Sequence, residues 1–273
     1  GAVKLPKIGE VRFRWTRDIA GTLKNVTVSR TALGWHISFS TEFEVQAPRN
    51  TKPAIGLDRG IVHALALSDG SFVDAPREQL NVLDRRARRH AQEVARSKRG
   101  SKRSLKARRR LAAVKARAAR VRRHFNHVAS ARLARSYGLV VIEALRTKAI
   151  TASAKGTLES PGSRVRQKAG LNRSILEIGW GQFETFLTYK LMAAGGELRK
   201  VNPHHTSTTC SCCRLNEKAH RKSQAVYECS GCGSVMNADT NAARNILLAG
   251  TRPAPPTGKL SSPPKRESHL EAA

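Results

Sequence analysis

One short stretch constrains the fold of this chain more than any other: residues 139–143 read Leu-Val-Val-Ile-Glu. Four consecutive apolar residues predict a strand that is buried within a sheet. A carboxylate at the end of such a strand is costly unless a positive group meets it. That group could be local, at Arg146 or Lys148, or Glu143 could belong to a functional site.

Two more acids stand at comparable places. Asp58 ends the apolar segment "AIGLD", and Asp239 opens the helical segment "DTNAARNILLAG". Taken singly, Asp58 could be a turn residue and Asp239 a helix N-cap, where aspartate is favoured. Asp69-Gly70 is a hairpin turn signal, so the strand that ends in Asp58 and the two segments after it predict three consecutive antiparallel strands.

The order of these elements is that of the RNase H fold. Asp58 lies on the first of three strands; a helical insertion, a strand ending in Glu143, a helix, a strand and a helix carrying Asp239 follow. In that fold the first and fourth strands are neighbours, so the three carboxylates would converge. Carboxylates at close range cannot all stay ionised without cations. We therefore predict two Mg²⁺ or Mn²⁺ ions, roughly 4 Å apart, because hard oxygen ligands suit these ions.

The cysteines predict a second metal site. Cys210 and Cys213 form one C-x-x-C pair, and Cys229 and Cys232 form another, with 15 residues between the pairs. This spacing is typical of a four-cysteine zinc ribbon. Because all five cysteines fall in one segment, a metal site in a reducing compartment is favoured over scattered disulfides.

Two neighbours of these pairs are further candidate ligands. Cys212 is surplus, and its spacing from Cys210 is wrong for the usual knuckle turn. His220 is a less favoured substitute, because four thiolates already complete a tetrahedron. A closed tetrahedron leaves no open position, so we expect the zinc to be structural.

The charge of the chain points to a polyanionic partner. It carries 50 lysines and arginines against 20 acidic residues, a net charge of +30. Nucleic acid is the first candidate and an anionic membrane surface the second. The sequence contains no apolar run of transmembrane length and no secretory signal, so we expect a cytoplasmic protein.

Residues 77–136 predict a basic helical hairpin with its turn near residues 97–104. Between Arg77 and Arg135 there are 21 lysines and arginines but only 3 acids, too one-sided for an ordinary solvated helix face. A narrow apolar stripe recurs at helical spacing, at Leu111, Val114, Ala118, Val121, Phe125 and Val128. We expect phosphate contacts from Arg85, Arg88, Arg89, Arg108, Arg109, Lys115 and Arg122.

Several motifs together resemble one known family. They are "GLDRG" (56–60), "VVIEAL" (140–145), the cysteine motifs "TCSCC" and "CSGC", and "DTNAARNILLAG" (239–250). These are similar to the motifs of the TnpB proteins of bacterial transposons, the apparent ancestors of the type V CRISPR effectors. The resemblance runs from about residue 8 to residue 250.

The resemblance implies an RNA-guided DNA endonuclease that is bacterial and nucleoid-associated. Its guide RNA would pair with target DNA, and a RuvC-like domain of RNase H fold would cut both strands with Asp58, Glu143 and Asp239. Residues 151–170 would form a loop over that site. The alternatives are a guide-RNA-dependent DNA-binding protein without cleavage, such as a repressor or transposon accessory, and a basic zinc-ribbon protein that binds RNA.

The chain also departs from the family pattern. Family members begin with a wedge β-barrel interrupted by a helical recognition domain, and we expect the first part of both to be missing here. "DRG" and "IEAL" replace the commoner "DLG" and "VEDL". We expect the Arg59 side chain on the strand face opposite to Asp58, because side chains alternate along a strand.

The predicted organisation is an α/β protein of five segments. Residues 172–196 are expected to form one amphipathic helix within it, which stops at a Gly-Gly pair. The segments are a partial wedge (1–50), a RuvC-like domain (51–209) with a helical insertion (77–136), a zinc ribbon (210–236), a final RuvC helix (237–250) and a disordered tail (251–273).

Overall fold

The computed structural model describes residues 1–16, 18–44, 46, 48 and 50–252. The fold is mixed α/β, as the sequence predicts. The predicted disordered tail lies outside the described residues, apart from Thr251, which ends the last helix, and Arg252.

Two antiparallel hairpins form the N-terminal segment. Strand β1 (Ala2–Leu5) pairs with β2 (Gly9–Arg12), and β3 (Thr22–Thr31) pairs with β4 (Gly34–Glu42). Gly34 follows the second turn with a φ of +118°, a region that favours glycine. Among the described residues these are two separate two-stranded sheets and not a closed barrel.

A five-stranded sheet is the centre of the fold. Its strands are β5 (Ala54–Asp58), β6 (Leu65–Leu67), β7 (Phe72–Val73), β8 (Leu139–Glu143) and β9 (Glu197–Val201). They lie in the order β7-β6-β5-β8-β9. The first three pair antiparallel, whereas β8 and β9 run parallel to β5, so the ends of β5 and β8 meet at one edge of the sheet.

Two basic helices follow β7, as predicted. Helix α1 (Arg77–Arg96) packs against α2 (Lys102–Ser136). Ser101 caps α2, because its hydroxyl oxygen accepts the backbone N–H of Ser104 at 3.2 Å.

The apolar stripe of α2 shifts along the helix. Val114 is buried as predicted, but Val128 is 52% exposed, so its assignment to the stripe was wrong. Around Val128 the buried positions are Asn126, Ala129 and Ser130, and the apolar Leu133 and the small Ala134 are buried further along. Small and hydrogen-bonded side chains let α2 lie close to its neighbours, which a hydrophobicity pattern does not reveal.

The single helix predicted for residues 172–196 is two helices, α4 (Val165–Ile178) and α5 (Trp180–Ala193), and α4 begins inside the predicted loop. A short helix, α3 (Thr147–Ile150), precedes that loop. Gly179 separates α4 from α5 with a φ of +76°. The side-chain amide of Asn126 donates to the carbonyl oxygens of Ile178 at 3.2 Å and Gly179 at 3.4 Å, so the break is partly satisfied by hydrogen bonds.

The cysteine segment ends in a small hairpin that leads into the last helix. Strand β10 (Val226–Glu228) pairs antiparallel with β11 (Val235–Asn237), and α6 (Ala238–Thr251) follows without a loop. The position of the helix start is therefore tied to the fold of the cysteine segment.

Both faces of the central sheet are covered, which explains the uninterrupted apolar runs of β5 and β8. On one face the strands pack against α2 and α5, through Ile55, Leu57, Val140, Ile142, Leu133, Phe183, Leu187 and Leu191. On the other face α6 lies against β5 and β8. Glycines allow this close approach, since a β-carbon at Gly56 or Gly250 would overlap the opposing element.

Replacing Gly56 by alanine tests this packing. The new β-carbon would lie 2.2 Å from the carbonyl oxygen of Ala243 and 2.7 Å from the backbone nitrogen of Leu247, so α6 would have to move off the sheet. We expect Gly56→Ala to lower the free energy of unfolding by about 1–3 kcal/mol or more, measured by urea denaturation.

Gly170→Ala is the matched control. Gly170 lies within α4, and nothing lies within 4 Å of its β-carbon position. This variant should be as stable as the wild type or up to about 1 kcal/mol more stable. If Gly56→Ala unfolds at the same urea concentration as the wild type, α6 does not approach the sheet as closely as described.

Candidate functional site

Asp58 and Glu143 lie at the same edge of the central sheet. Asp58 is the last residue of β5 and Glu143 the last of β8, and the parallel register pairs Leu57 with Ile142. Because Leu57 and Ile142 pack toward α2 and α5, alternation turns the next residue of each strand toward α6. The structure thus brings these two predicted residues together on one face.

Asp239 reaches the same edge from α6. It lies in the first turn of that helix, and a β-carbon at Gly60 would be 3.9 Å from its Oδ2 atom. Asp239 is not the N-cap: Asn237 fills that role, accepting the backbone N–H groups of Asp239 at 2.9 Å and Thr240 at 3.2 Å. Helix capping therefore does not explain why an aspartate stands at position 239.

The electrostatics of Asp58 show that both other acids act on it. Its pKa is raised to about 7, first by burial and then by the negative charges of Glu143 and Asp239. The positive charge of Arg221 opposes this rise. The pKa of Glu143 is also raised by burial. Asp58, Glu143 and Asp239 thus form a cluster with an excess of negative charge at this edge of the sheet, which we call the acidic pocket.

Three neighbours of the acids were not predicted as site residues. Thr206 donates to Oε1 of Glu143 at 2.5 Å, Arg221 lies 3.3 Å from Oδ1 of Asp239, and Arg59 donates to the backbone carbonyl of Glu143 at 2.6 Å. Among the described residues no ion pair reaches the Glu143 carboxylate. The alternative that Glu143 pairs with Arg146 or Lys148 is therefore wrong. Thr206 and Arg221 belong to loops without periodicity, and no sequence signal marked them.

The four predicted cysteines converge. Cys210, Cys213, Cys229 and Cys232 bring their sulfur atoms within 4.8 Å of one another, and in the part of the chain that the structure describes no other group of potential ligands is gathered so tightly. The Sγ atoms of Cys213 and Cys229 are 3.5 Å apart. The pKa of Cys229 is lowered to about 7, chiefly by the backbone N–H of Cys232. The cluster could hold one metal ion.

Cys212 and His220 stay outside the cluster, as expected. The Sγ atom of Cys212 faces the hydroxyl of Ser234 at 3.6 Å. The ring of His220 is buried and hydrogen-bonded to Tyr227 Oη at 3.0 Å and Ser230 Oγ at 2.8 Å. Both imidazole nitrogens are thus engaged in the packing of the ribbon.

Buried asparagines tie α6 to the cysteine segment. The amide of Asn241 donates to the carbonyl of Thr209 at 2.8 Å and accepts the N–H of Ser211 at 2.9 Å. Asn245 accepts from Arg214 at 2.7 Å. These contacts give a structural reason for the asparagines of "DTNAARN": they fix the helix that carries Asp239 to the four-cysteine cluster.

The predicted phosphate-binding residues lie on the surface of the basic helices. Arg122 is half-buried, and Arg88 forms an ion pair with Asp84 at 2.6 Å. The others are exposed: Arg85, Arg89, Arg108, Arg109 and Lys115. No helix in the described ranges combines the length and apolar character needed to cross a bilayer.

Fold and site together define a mixed α/β protein in which an acidic pocket adjoins a four-cysteine cluster. Two family models match parts of this arrangement. "Probable transposase" matches residues 38–154, and "Cas12f1-like, TNB domain" matches residues 180–246. The first match contains Asp58 and Glu143, and the second contains the cysteines and Asp239.

Curated relatives match most of the chain. "Putative RNA-guided DNA endonuclease InsQ" of Escherichia coli (strain K12) is 37% identical over 90% of this chain and 61% of its own length. A protein of Streptomyces pristinaespiralis with the same description is 31% identical over 92% of this chain and 59% of its own. "TnpB-like protein L79" of Acanthamoeba polyphaga mimivirus is 30% identical over 44% of this chain and 21% of its own.

These matches to TnpB-like proteins and RNA-guided DNA endonucleases agree with the family resemblance that the motifs of the chain carry. The chain spans about three fifths of the length of the first two relatives. Among solved structures, a Cas12f1-sgRNA-target DNA complex has a chain with a TM-score of 0.48 at 18% identity, covering 81% of this chain and 55% of its own.

The crowding of the acids predicts a pH-dependent stability. The folded-state pKa of Asp58 is raised from 3.8 to about 7, so this residue costs stability as the pH rises through that interval. At 1.36 kcal/mol per unit the full cost is roughly 4 kcal/mol. We expect Asp58→Asn to be more stable than the wild type in magnesium-free buffer, with a larger gain at pH 8 than at pH 5.

The measurement is urea denaturation of zinc-loaded protein at both pH values. Asp18→Asn serves as the control, because Asp18 is exposed and should change stability little at either pH. An Asp58→Asn variant that is less stable than the wild type at pH 8 would show that the three carboxylates do not repel one another.

Proposed function

We propose that this chain is the nuclease portion of an RNA-guided DNA endonuclease. The strand order, with two parallel strands ending in carboxylates, supports an RNase H-like domain of the RuvC type. The observation that carries the proposal is the acidic pocket, in which Glu143 and Asp239 raise the pKa of Asp58 to about 7. Within the proposed organisation, residues 51–209 and 237–250 form the nuclease domain and residues 1–50 part of a wedge.

The residues of the pocket fit divalent cations. Asp58, Glu143 and Asp239 offer hard oxygen ligands, which Mg²⁺ and Mn²⁺ prefer. Their mutual repulsion is balanced in part by Arg221, so a cation is favoured there. Two such ions supply an activated water and neutralise charge on the leaving oxygen of a phosphodiester.

The side chains of the chain itself have distinct tasks in this proposal. Asp58, whose pKa is raised by both of the other acids, would be one of the ligands of these cations. The hydroxyl of Thr206 fixes one oxygen of Glu143, leaving the other available. Arg221 holds Asp239 while the pocket is free of cations and presents a positive charge toward a bound phosphate.

We propose that Cys210, Cys213, Cys229 and Cys232 hold Zn²⁺ as a structural ion. Four thiolates complete its tetrahedron, so it has no open position for chemistry. The ion would act on the nuclease site through structure, because the cysteine segment supplies Arg221 and leads directly into the helix of Asp239.

Guide RNA and target DNA are the proposed partners. Relatives that match most of this chain bear the name RNA-guided DNA endonuclease. The exposed cations Arg85, Arg89, Arg108 and Arg109 would hold phosphates, with affinity that falls steeply as salt increases. Base pairing with the guide, and not these side chains, would select the target.

A cleavage assay tests the function. RNA that copurifies with nuclease-treated protein is sequenced, and duplex DNA is made that contains its complement beside a randomised flank. We expect cleavage in Mg²⁺, none without divalent cations, and a rate at least about 100-fold lower for Asp58→Ala. Asp18→Ala, an exposed acid away from the pocket, should cut at the wild-type rate.

The outcomes separate the candidate functions. DNA that is bound through a defined RNA but never cut would identify a guide-dependent binding protein. Heterogeneous RNA without any DNA selection would leave a basic RNA-binding scaffold and refute the guided nuclease.

Adjacent cysteines offer a matched test of the zinc site. Cys213 belongs to the cluster and Cys212 does not, although both are exposed. We expect Cys213→Ser to lose bound zinc, measured by atomic absorption, and to cut DNA at least about 10-fold more slowly because the helix of Asp239 shifts. Cys212→Ser should retain bound zinc and cut DNA at the wild-type rate. Full cleavage by zinc-free Cys213→Ser would disconnect the ribbon from the nuclease site.

A further inference from the structure

Arg59 lies directly behind the acidic pocket, on the other side of the sheet edge. It follows Asp58 in the chain, yet only 1% of its side-chain surface is exposed. Its guanidinium turns toward α5, the face opposite to Asp58, as alternation along the strand predicts. A buried guanidinium is costly unless acceptors meet it, so its partners identify what it holds in place.

Those partners connect α5 to the end of β8. Nη1 of Arg59 donates to Oε2 of Glu184 at 3.0 Å, and Nη2 donates to the backbone carbonyl of Glu143 at 2.6 Å. The guanidinium carbon lies 5.8 Å from the ring centroid of Trp180. Glu184 forms a second ion pair with the more exposed Lys200.

The carbonyl held by Arg59 is that of a proposed metal ligand. The ladder between β5 and β8 ends at the pair Leu57 and Ile142, one residue before Glu143. On its other side Glu143 still pairs with Val201 of β9, so Arg59 supplies a hydrogen bond on the β5 side, where the ladder has ended. The orientation of the Glu143 carboxylate depends on this backbone.

We propose that Arg59 is a positioning residue that fixes the end of β8, so that the Glu143 carboxylate faces the divalent cations. Glu184 is the counter-charge that lets a guanidinium be buried there. The proposal rests on the proposed function, since it concerns the same metal-dependent pocket. It adds a pair of residues on the far side of the sheet that touches neither cation nor nucleic acid.

Positioning can be distinguished from an electrostatic role. The positive charge of Arg59 also acts on Glu143 and Asp58. If that charge were its main effect, its removal would strengthen cation binding. Removing Arg59 together with Glu184 leaves the local charge balance unchanged, so a loss of cation affinity in the double variant reports geometry.

The test measures Mn²⁺ binding by electron paramagnetic resonance on zinc-loaded protein. The variants are Arg59→Met, the double variant Arg59→Met with Glu184→Gln, and Lys200→Met as the matched control. Lys200→Met removes the other partner of Glu184 and leaves the Arg59 contacts in place. Asp58→Asn identifies the part of the Mn²⁺ signal that belongs to the pocket.

We expect about 10-fold weaker Mn²⁺ binding in the single and the double Arg59 variants and no change in Lys200→Met. Single-turnover DNA cleavage should slow by about 10- to 100-fold, with unchanged affinity for nucleic acid. Circular dichroism confirms folding, and the double variant decides the question if the single one does not fold.

Unchanged or tighter Mn²⁺ binding in a folded double variant overturns the proposal. The proposal is also overturned if Asp58→Asn gives the same Mn²⁺ signal as the wild type. Failure of the proposed function looks different. Protein that binds Mn²⁺ through Asp58 and responds to Arg59→Met, but never cuts DNA, retains the positioning role and loses the nuclease.

Discussion

The close packing of α6 on the central sheet is the contact on which the site depends. The helix can approach because Gly56 on β5 and Gly250 on α6 carry no side chain where the two backbones meet. This approach delivers Asp239 to the edge where β5 and β8 already place two carboxylates. Without it the chain would have a pair of acids on one sheet and a third on an unrelated helix.

The acidic pocket is an unfavourable arrangement that the rest of the fold must stabilise. Burial and like charge raise the pKa of Asp58 to about 7. The clustering of these acids therefore does not stabilise the fold. Strain of this kind is expected where binding a cation relieves it. Two arginines moderate it from opposite sides: Arg221 from the cysteine segment and Arg59 from behind the sheet.

The two proposed metal sites follow different chemistry and are mechanically connected. Thiolates suit a closed site for zinc, whereas carboxylates suit exchangeable hard cations. The connection is made by β11, which continues into α6, and by Asn241 and Asn245, which bind the loops around the cysteines. The cysteine segment is therefore a support for the helix that carries Asp239.

Much of the architecture could be predicted from the sequence because it follows from local residue patterns. Apolar runs ending in acids predicted β5 and β8, and paired cysteines predicted the cluster. The predictions failed where a single residue interrupted a periodic segment: Gly179 divides one predicted helix into two. The stripe on α2 was also misassigned at Val128, because small and hydrogen-bonded side chains replace apolar ones in the buried face there.

The sequence by itself determined which residue types could carry the chemistry: three strand- and helix-end acids, two cysteine pairs and one strongly cationic helical pair. Only the tertiary structure decided which further side chains complete the site. Thr206, Arg221 and Arg59 come from a loop, from the cysteine segment and from the far face of the sheet. Their roles arise from distances between segments far apart in the chain, and such distances leave no periodic trace in a single sequence.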